Sequence, residues 1–346
     1  MPIIEVIGKY GRSRIRVGGS METAAEHLPD RGVFILSDPN VRRLYGDRFP
    51  DAPVLEVGTG AGEGAKTLDG AATVYRALIS AEADRDSFIL GIGGGVVCDL
   101  AGFVASTYLR GVRFGFVATT LLAQVDAGVG GKNGVNFDGF KNMVGTFNQP
   151  EFVLCPPDVL ATLPPAEIRS GLAEVVKHGA IADAALFAYL EEVGEAAPDL
   201  PPEAVERFVA DSVRIKAGVA SRDEREAGER RILNFGHTYG HAVEATAGIA
   251  HGEAVSIGMT VAARLSARKG LISEAEAERI PALLTRLGLP VRSDADPARA
   301  VAALRRDKKR AGDRIRFVLL NRIGEATVAP IPIEELEAVI HESTHR

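Results

Sequence analysis

Two cysteines, Cys98 and Cys155, are all that the 346 residues contain. They are too few for a disulfide framework and lack the spacing of zinc ligands. This excludes a disulfide-stapled scaffold and a cysteine-based zinc site, and a reducing compartment is expected. Positive charge is also short: 40 Lys and Arg face 46 Asp and Glu, for a net charge of -6 and a pI near 5.8. That balance argues against nucleic acid or an anionic membrane surface as the main partner. The opening residues, MPIIEVIGKYGRSRIRVGG, have no basic stretch leading into an apolar core, so a cytoplasmic location is expected. Uninterrupted apolar runs are missing too. The longest, Phe88 to Thr107, is broken by glycines and by Asp99, as suits a buried strand, turn and helix better than a membrane span. No internal repeat or low-complexity tract occurs.

What the chain does have is a globular composition, 46% apolar and 25% charged, and enough length for two domains with cores of their own. The first part alternates strands and helices. Ile3–Ile7 and Ile15–Val17 read as a hairpin, Val33–Ser37, Ser87–Ile92 and Phe114–Ala118 as buried strands, and Leu68–Ala83 and Val96–Tyr108 as helices. Strands separated by helices predict a doubly wound parallel sheet. After Pro156–Pro157 and Pro164–Pro165 helical periods dominate: Ala166–Gly179, Ala184–Val193, Glu203–Ala220, Ile232–Ala247, Glu253–Lys269, Glu274–Leu287 and Pro297–Arg310. A hairpin, Ile315–Leu320 with Ala326–Val328, precedes a last helix near Glu334–His341. The division expected is a nucleotide-binding α/β domain over 1–155 and a mostly α-helical domain over 156–346.

The 38 glycines cluster at a few places. Gly91-Ile92-Gly93-Gly94-Gly95 lies between a buried strand and a helix, where glycines let the backbone approach a pyrophosphate and the helix N-terminus supplies N–H groups. The spacing is not GxGxxG, so the usual dinucleotide fingerprint fails, and a tight turn between packed elements explains the loop equally well. Asp38 and Asn40 follow an earlier strand, where a ribose-contacting residue belongs, though residues of this type more often serve turns.

Three of the seven histidines, His237, His241 and His251, fall within fifteen residues. His237 and His241 stand four apart on a predicted helix and share its face. In HTYGH, Thr238 replaces the glutamate of a metalloprotease HExxH. Such a pair alone is often just a helix face. A third histidine at the start of the next helix, and Glu174 on another with Lys177 one turn later, favour a metal. Two imidazoles and a carboxylate leave a coordination position open, as in catalytic zinc sites. Lys132, Lys141, Lys177, Lys216, Arg110 and Arg230 sit in glycine-rich or element-terminal sequence. Gly130–Gly134 and Gly139–Asn142 read as loops able to close on a small anion. The run Arg305–Arg310 reads as an exposed helix end.

At these residues a resemblance enters. The chain resembles the 3-dehydroquinate synthases over nearly its whole length, through GGGVVCDLAGFVASTYLRG (93–111), TTLLAQVDAGVGGKNGVN (119–136), GFKNMVGTFNQP (139–150), GLAEVVKHG (171–179), DEREAG (223–228), NFGHTYGHAVE (234–244), HGEAV (251–255) and DKK (307–309), in that order. The resemblance implies a Rossmann-like N-terminal domain, a helical C-terminal domain, and a homodimer. Zinc, or cobalt in its place, would be held by Glu174, His237 and His251, with His241 beside it. NAD would be met by Asp38, Asn40, Glu63, Lys66, Gly94, Gly95, Asp99, Thr119, Thr120 and Thr162, with Lys132 and Lys141 shared between cofactor and substrate. Catalytic roles would fall to Lys132, Lys177, Lys216, Glu226, His241 and Asp126. Arg110, Lys141, Asn142, Arg230, Asn234 and Lys308 would bind the substrate.

The reaction implied converts 3-deoxy-D-arabino-heptulosonate 7-phosphate to 3-dehydroquinate and phosphate. It proceeds by transient oxidation with NAD, β-elimination, reduction, ring opening and aldol closure. A dianionic phosphate and a carboxylate in a partly dehydrated cleft explain the scattered cations. Three positions depart from the family pattern: Cys98 for glycine, Ala118 for proline and Gly128 for serine. Competing readings are an amino-dehydroquinate or 2-deoxy-scyllo-inosose synthase, a metal-dependent alcohol dehydrogenase of the glycerol dehydrogenase type, and a non-catalytic NAD sensor. Asn234, Arg230, His241 and Lys308 favour a carboxylate-bearing substrate.

Overall fold

Phe88–Gly93, FILGIG, is buried along its full length. A strand covered on both faces needs such a continuous run, which is the mark of a parallel sheet. The computed structural model describes residues 3–9, 11–57, 62–194, 200–294, 296–304 and 310–345. The chain divides into two compact units, Met1–Pro164 with Lys216–Glu226, and Pro165–Ile215 with Ala227–Arg346.

In the first unit the elements run β1 (Ile3–Ile7), β2 (Arg12–Val17), β3 (Val33–Ser37), α1 (Pro39–Tyr45), β4 (Val54–Glu56), α2 (Leu68–Ser80), β5 (Phe88–Gly93), α3 (Gly95–Thr107), β6 (Arg113–Ala118), β7 (Lys132–Phe137), β8 (Phe140–Phe147) and β9 (Phe152–Cys155). Seven strands form one sheet in the order β1-β2-β9-β6-β5-β3-β4. All its pairings are parallel except β1 with β2. From β3 the chain passes to β4 on one side and then to β5 on the other. The strand order therefore reverses between β3 and β5, the place where open α/β sheets bind ligands beyond the carboxyl ends of their strands. Ser37 pairs with Ile92 there, and its hydroxyl donates to the Ile92 carbonyl at 2.8 Å.

α3 is apolar nearly all round, with Val97, Leu100, Ala101, Phe103 and Val104 buried, as a helix inside a core requires. Two expectations are corrected in this unit. Gly130–Gly134 and Gly139–Asn142 are not mainly loops. Lys132 to Phe147 forms the antiparallel hairpin β7–β8, with a bulge between Val135 and Phe137. The strands β4 and β9, three and four residues long, were not expected at all.

The second unit contains α4 (Pro165–Ala182), α5 (Ala184–Val193), α6 (Pro202–Arg222, grouped with the first unit from Lys216 on), α7 (His237–Ala247), α8 (His251–Arg268), α9 (Glu274–Arg286), α10 (Pro297–Leu304), the sheet β10 (Arg310–Ala311), β11 (Arg314–Arg322) and β12 (Glu325–Pro332), and α11 (Ile333–His345). The α/β portion followed by a largely helical one agrees with the class read from the sequence. Asp183 caps α5 by accepting from Ala185 and Leu186 N–H, and Ser273 with Glu276 closes a capping box on α9. The helix expected over Pro297–Arg310 ends at Leu304 among the described residues, and Arg310 opens a strand.

The helix expected over Ile232–Ala247 is broken. Glu229–Asn234 is a tight 3-10 segment, and α7 starts only after Gly236, whose φ is +79°. A side chain on Gly258 of α8 would overlap the Gly236 carbonyl, so these two glycines let α7 and α8 meet backbone to backbone. Gly252 does the same between α8 and α4. A Cβ there would run into Ser170 Cα, and its N–H donates to Ser170 Oγ at 3.2 Å. Ala is the better helix former by up to about 1 kcal/mol, but displacing backbone in a packed core costs about 1–3 kcal/mol. We therefore expect Gly252→Ala to destabilise the protein, read as a lower urea midpoint. It should also retain less divalent metal after dialysis, because Glu174 lies one turn beyond Ser170.

Candidate active site

Three helices of the second unit each deliver one ligand type to a single point. α4 presents Glu174, fully buried; α7 presents His237 at its first residue; α8 presents His251 at its first residue. Nε2 of His237 lies 3.4 Å and Nε2 of His251 3.5 Å from the same Glu174 oxygen, Oε1. The ligand atoms of the three residues all lie within 4.8 Å of one another. A tetrahedral ion with bonds of about 2.0–2.1 Å needs donor atoms about 3.3–3.4 Å apart. The donor set and its spacing fit such an ion.

Both rings are turned to do this. His237 Nδ1 is 3.1 Å from the Phe235 carbonyl, and His251 Nδ1 is 3.4 Å from Glu244 Oε2, so each ring holds its far nitrogen on a neighbour and aims Nε2 at Glu174. Electrostatics separates the two. Burial, countered by Glu174, pushes His237 down to about 3, so this imidazole is neutral, as a metal ligand must be. Burial also pulls on His251, but Glu174 and Glu244 outweigh it and hold this imidazole up at about 9. With the Lys177 ammonium paired to Glu174 Oε2, the buried carboxylate is surrounded by positive charge. A divalent cation would supply that charge in place of the imidazolium.

Near these ligands, His241 keeps its ring centroid 5.3 Å from that of His237 and 5.9 Å from that of His251, and is exposed. Arg230 is 1% exposed, on the 3-10 segment that ends at Asn234, whose side chain donates to the Arg231 carbonyl. Lys177 and Lys216, read from the sequence as lying in glycine-rich or element-terminal stretches within predicted helices, are buried residues of α4 and α6. The Lys177 ammonium is paired with Glu174 one turn earlier on the same helix, whereas that of Lys216 is anchored by Asp126, which the local sequence does not reveal.

In the first unit Gly94 is the N-cap of α3 and Gly95 its first residue, directly after β5. Asp38 follows β3 and caps α1, accepting from Asn40 and Val41 N–H at 2.9 and 3.0 Å. Asn40 is exposed and accepts from Arg43. The two chain turns stand at the carboxyl ends of neighbouring strands where the order reverses, so the structure brings Asp38 and Gly94–Gly95 together. Thr119 N–H donates to the Gly93 carbonyl at 2.9 Å, while its hydroxyl is buried without a hydrogen-bond partner among the described residues. Thr120 Oγ1 accepts from Ala123 N–H. A helix N-terminus bare of side chains beside an unsatisfied hydroxyl fits a dinucleotide.

Lys66 is 4% exposed, with Nζ 2.5 Å from Asp99 Oδ2 on α3 and 3.8 Å from Glu63 Oε1. Burial holds the Asp99 carboxyl up at about 6, against the Lys66 ammonium. Thr162 is exposed and shares a 2.7 Å hydrogen bond with the Tyr45 hydroxyl. Lys216 Nζ donates to both the carbonyl and Oδ1 of Asp126 at 2.6 Å. Asp126 sits in a π-helical turn, Ala123–Ala127, a widening common at functional sites. Lys132 pairs with Glu226. Arg110, Asn142 and Glu226 have positive φ of 72°, 50° and 58°, a conformation non-glycine residues hold where the surroundings impose it. Lys141 and Asn142 are exposed on β8, and Lys308 lies outside the described residues.

Comparison with known proteins decides the family. The family model for the 3-dehydroquinate synthase N-terminal region matches residues 56–170, and the model for its C-terminal region matches 171–310. This chain belongs to the 3-dehydroquinate synthase family. A curated 3-dehydroquinate synthase of Halorhodospira halophila is 48% identical over 310 residues, 88% of each chain. Among solved structures, a 2-deoxy-scyllo-inosose synthase complexed with carbaglucose-6-phosphate, NAD+ and Co2+ superposes with a TM-score of 0.88, at 27% identity, covering 99% of this chain and 100% of that one. The 2-epi-5-epi-valiolone synthase of Streptomyces hygroscopicus subsp. jinggangensis, with NAD+ and Zn2+ bound, gives 0.87 at 30% identity, covering 95% and 96%.

Within a 3-dehydroquinate synthase framework the three departures are accommodated. Cys98 is buried with Sγ 3.8 Å from the Gly93 carbonyl, the Ala118 carbonyl accepts from Gln124 at 3.0 Å, and Gly128 closes the π-helical turn. Burial pushes the Cys98 and Cys155 thiols up, the latter to about 12, so both are inert packing groups. Sequence reasoning missed Glu244 as a partner of His251. Its signal was present: His237, His241 and Glu244 stand at i, i+4 and i+7, one stripe of α7. The Phe235 carbonyl carries no such signal, being main chain.

Proposed function

We propose that this chain performs the reaction of its family, converting 3-deoxy-D-arabino-heptulosonate 7-phosphate to 3-dehydroquinate and phosphate with NAD and a divalent ion, zinc or cobalt. The observation that carries the catalytic part is the pair of imidazole Nε2 atoms meeting one buried Glu174 oxygen at 3.4 and 3.5 Å. Glu174, His237 and His251 would hold the ion and leave a position open for substrate. Asp38, Gly94, Gly95, Lys66, Asp99 and the Thr119–Thr120 hydroxyls would hold NAD. Bound to these residues, the ion supplies a Lewis acid, and NAD a hydride acceptor and donor.

The chain's own residues do the rest. Arg110, Lys132 and Asn142 would bind the phosphate; Arg230, Asn234 and Lys216 the carboxylate, with Arg230 offering two parallel N–H donors. Asp126 orients the Lys216 ammonium through two hydrogen bonds, and Glu226 orients that of Lys132. His241, exposed beside His237 and His251, would exchange a proton with substrate hydroxyls. Greater identity to the Halorhodospira halophila enzyme than to the two solved cyclases supports a dehydroquinate-forming reaction over theirs.

The test is phosphate release from the heptulosonate phosphate while reduced nicotinamide is followed. We expect phosphate to accumulate with no net reduced nicotinamide, a chelator to stop it, and zinc or cobalt to restore it. Steady build-up of reduced nicotinamide without phosphate would instead indicate an alcohol dehydrogenase. We also infer a homodimer in a reducing cytoplasm. The apolar side chains of Phe137, Phe140, Met143 and Phe147 exposed on β7–β8 support the first, and the two free buried cysteines the second. A single monomeric species in sedimentation at micromolar protein would contradict the dimer.

A further inference from the structure

His251 is held at both ring nitrogens. Nε2 faces Glu174 Oε1 at 3.5 Å, and Nδ1 faces Glu244 Oε2 at 3.4 Å. The other ligand histidine has its Nδ1 on a main-chain carbonyl, an acceptor that no side-chain change removes. His251 depends instead on a side chain, and one whose location is otherwise unfavourable. Glu244 lies in the last turn of α7, which ends at Ala247, where the helix dipole disfavours negative charge. Its side chain is only 9% exposed, so a carboxylate is buried at the wrong end of a helix. Helix stability does not account for it, and its Oε2 faces the His251 ring.

We propose that Glu244 is a positioning residue of the metal centre: by accepting the Nδ1–H of His251 it fixes the tautomer and plane of that ring, so that the Nε2 lone pair points at the ion. This rests on the metal reading above. An N–H held on one side leaves the opposite nitrogen free to ligate, and a carboxylate acceptor raises its donor strength more than a carbonyl does. The stripe His237, His241, Glu244 on α7 thus contributes a ligand at its start and the second ligand's anchor near its end.

The experiment measures metal affinity by chelator competition at one pH, with cobalt or zinc, for wild type, Glu244→Ala and Glu244→Gln. Loss of an outer partner of this kind weakens metal affinity roughly 10–100-fold, and we expect Glu244→Ala to fall in that range. Glu244→Gln, which keeps an oxygen acceptor, should recover part of the loss; if Glu244→Ala does not fold, wild-type affinity in Glu244→Gln overturns the proposal. The visible spectrum of the cobalt-loaded protein should shift in Glu244→Ala, a readout that a purely structural role leaves unchanged. In a His251→Ala background the same substitution should cost nothing further. Wild-type affinity in Glu244→Ala, an undiminished effect without His251, or loss only of a second, weaker ion held by His241, Glu244 and His251 would each overturn it. If wild-type protein itself binds no metal, the metal reading fails and takes this inference with it.

Discussion

Glu174→Gln is expected to lose its divalent ion on dialysis and to drop in turnover by more than the roughly 10–100-fold that an outer partner is worth. The carboxylate is the charged member of the ligand set, fully buried, and the only one whose single oxygen meets both imidazoles. An amide offers a weaker, neutral oxygen. It also leaves the Lys177 ammonium, 1% exposed, without its paired charge. Breaking a buried pair by removing one partner costs about 3–5 kcal/mol. The variant should therefore show a lower urea midpoint even without metal. Full metal occupancy after dialysis would remove Glu174 from the ligand set.

Lys132→Ala should behave differently, losing turnover while fold, metal and NAD binding persist. Its side chain is 46% exposed, and that of its partner Glu226 24% exposed, so the pair contributes at most about 1 kcal/mol to stability. A charge-assisted hydrogen bond to a phosphate is worth about 1.5–3 kcal/mol, which corresponds to about 10- to 150-fold in kcat/KM. The Glu226 carboxylate, freed of its cation, would add repulsion. Steady-state kinetics beside a thermal unfolding curve separates the effects: an unchanged melting temperature with wild-type kcat/KM would refute the assigned role.

The contrast between these residues shows what a sequence can and cannot state. β3 and β5 are legible as VFILS and FILGIG because burial on both faces demands unbroken apolar runs. β4 and β9 are too short to show a period, and the glycines of β7–β8 hide a hairpin whose register depends on a bulge. The break before α7 was invisible because a helical period tolerates glycine. Only the packing of Gly236 against Gly258 imposes its positive φ. His237, His241 and His251 could be picked out as a cluster because they fall within fifteen residues, though only the packing of α7 on α8 brings His251 beside His237. That Lys216 is buried against Asp126, ninety residues earlier, is a tertiary fact with no local sign. Glu244 lay within a motif already singled out and on the stripe of His237 and His241, but only the geometry of His251 shows which ring it holds.

The most direct measurement is anomalous diffraction at the cobalt or zinc edge from metal-loaded crystals. One strong peak per chain is predicted, bonded to a Glu174 oxygen and to Nε2 of both His237 and His251. A peak bound elsewhere, or these three side chains free of metal in a protein that turns over its substrate, would contradict the account.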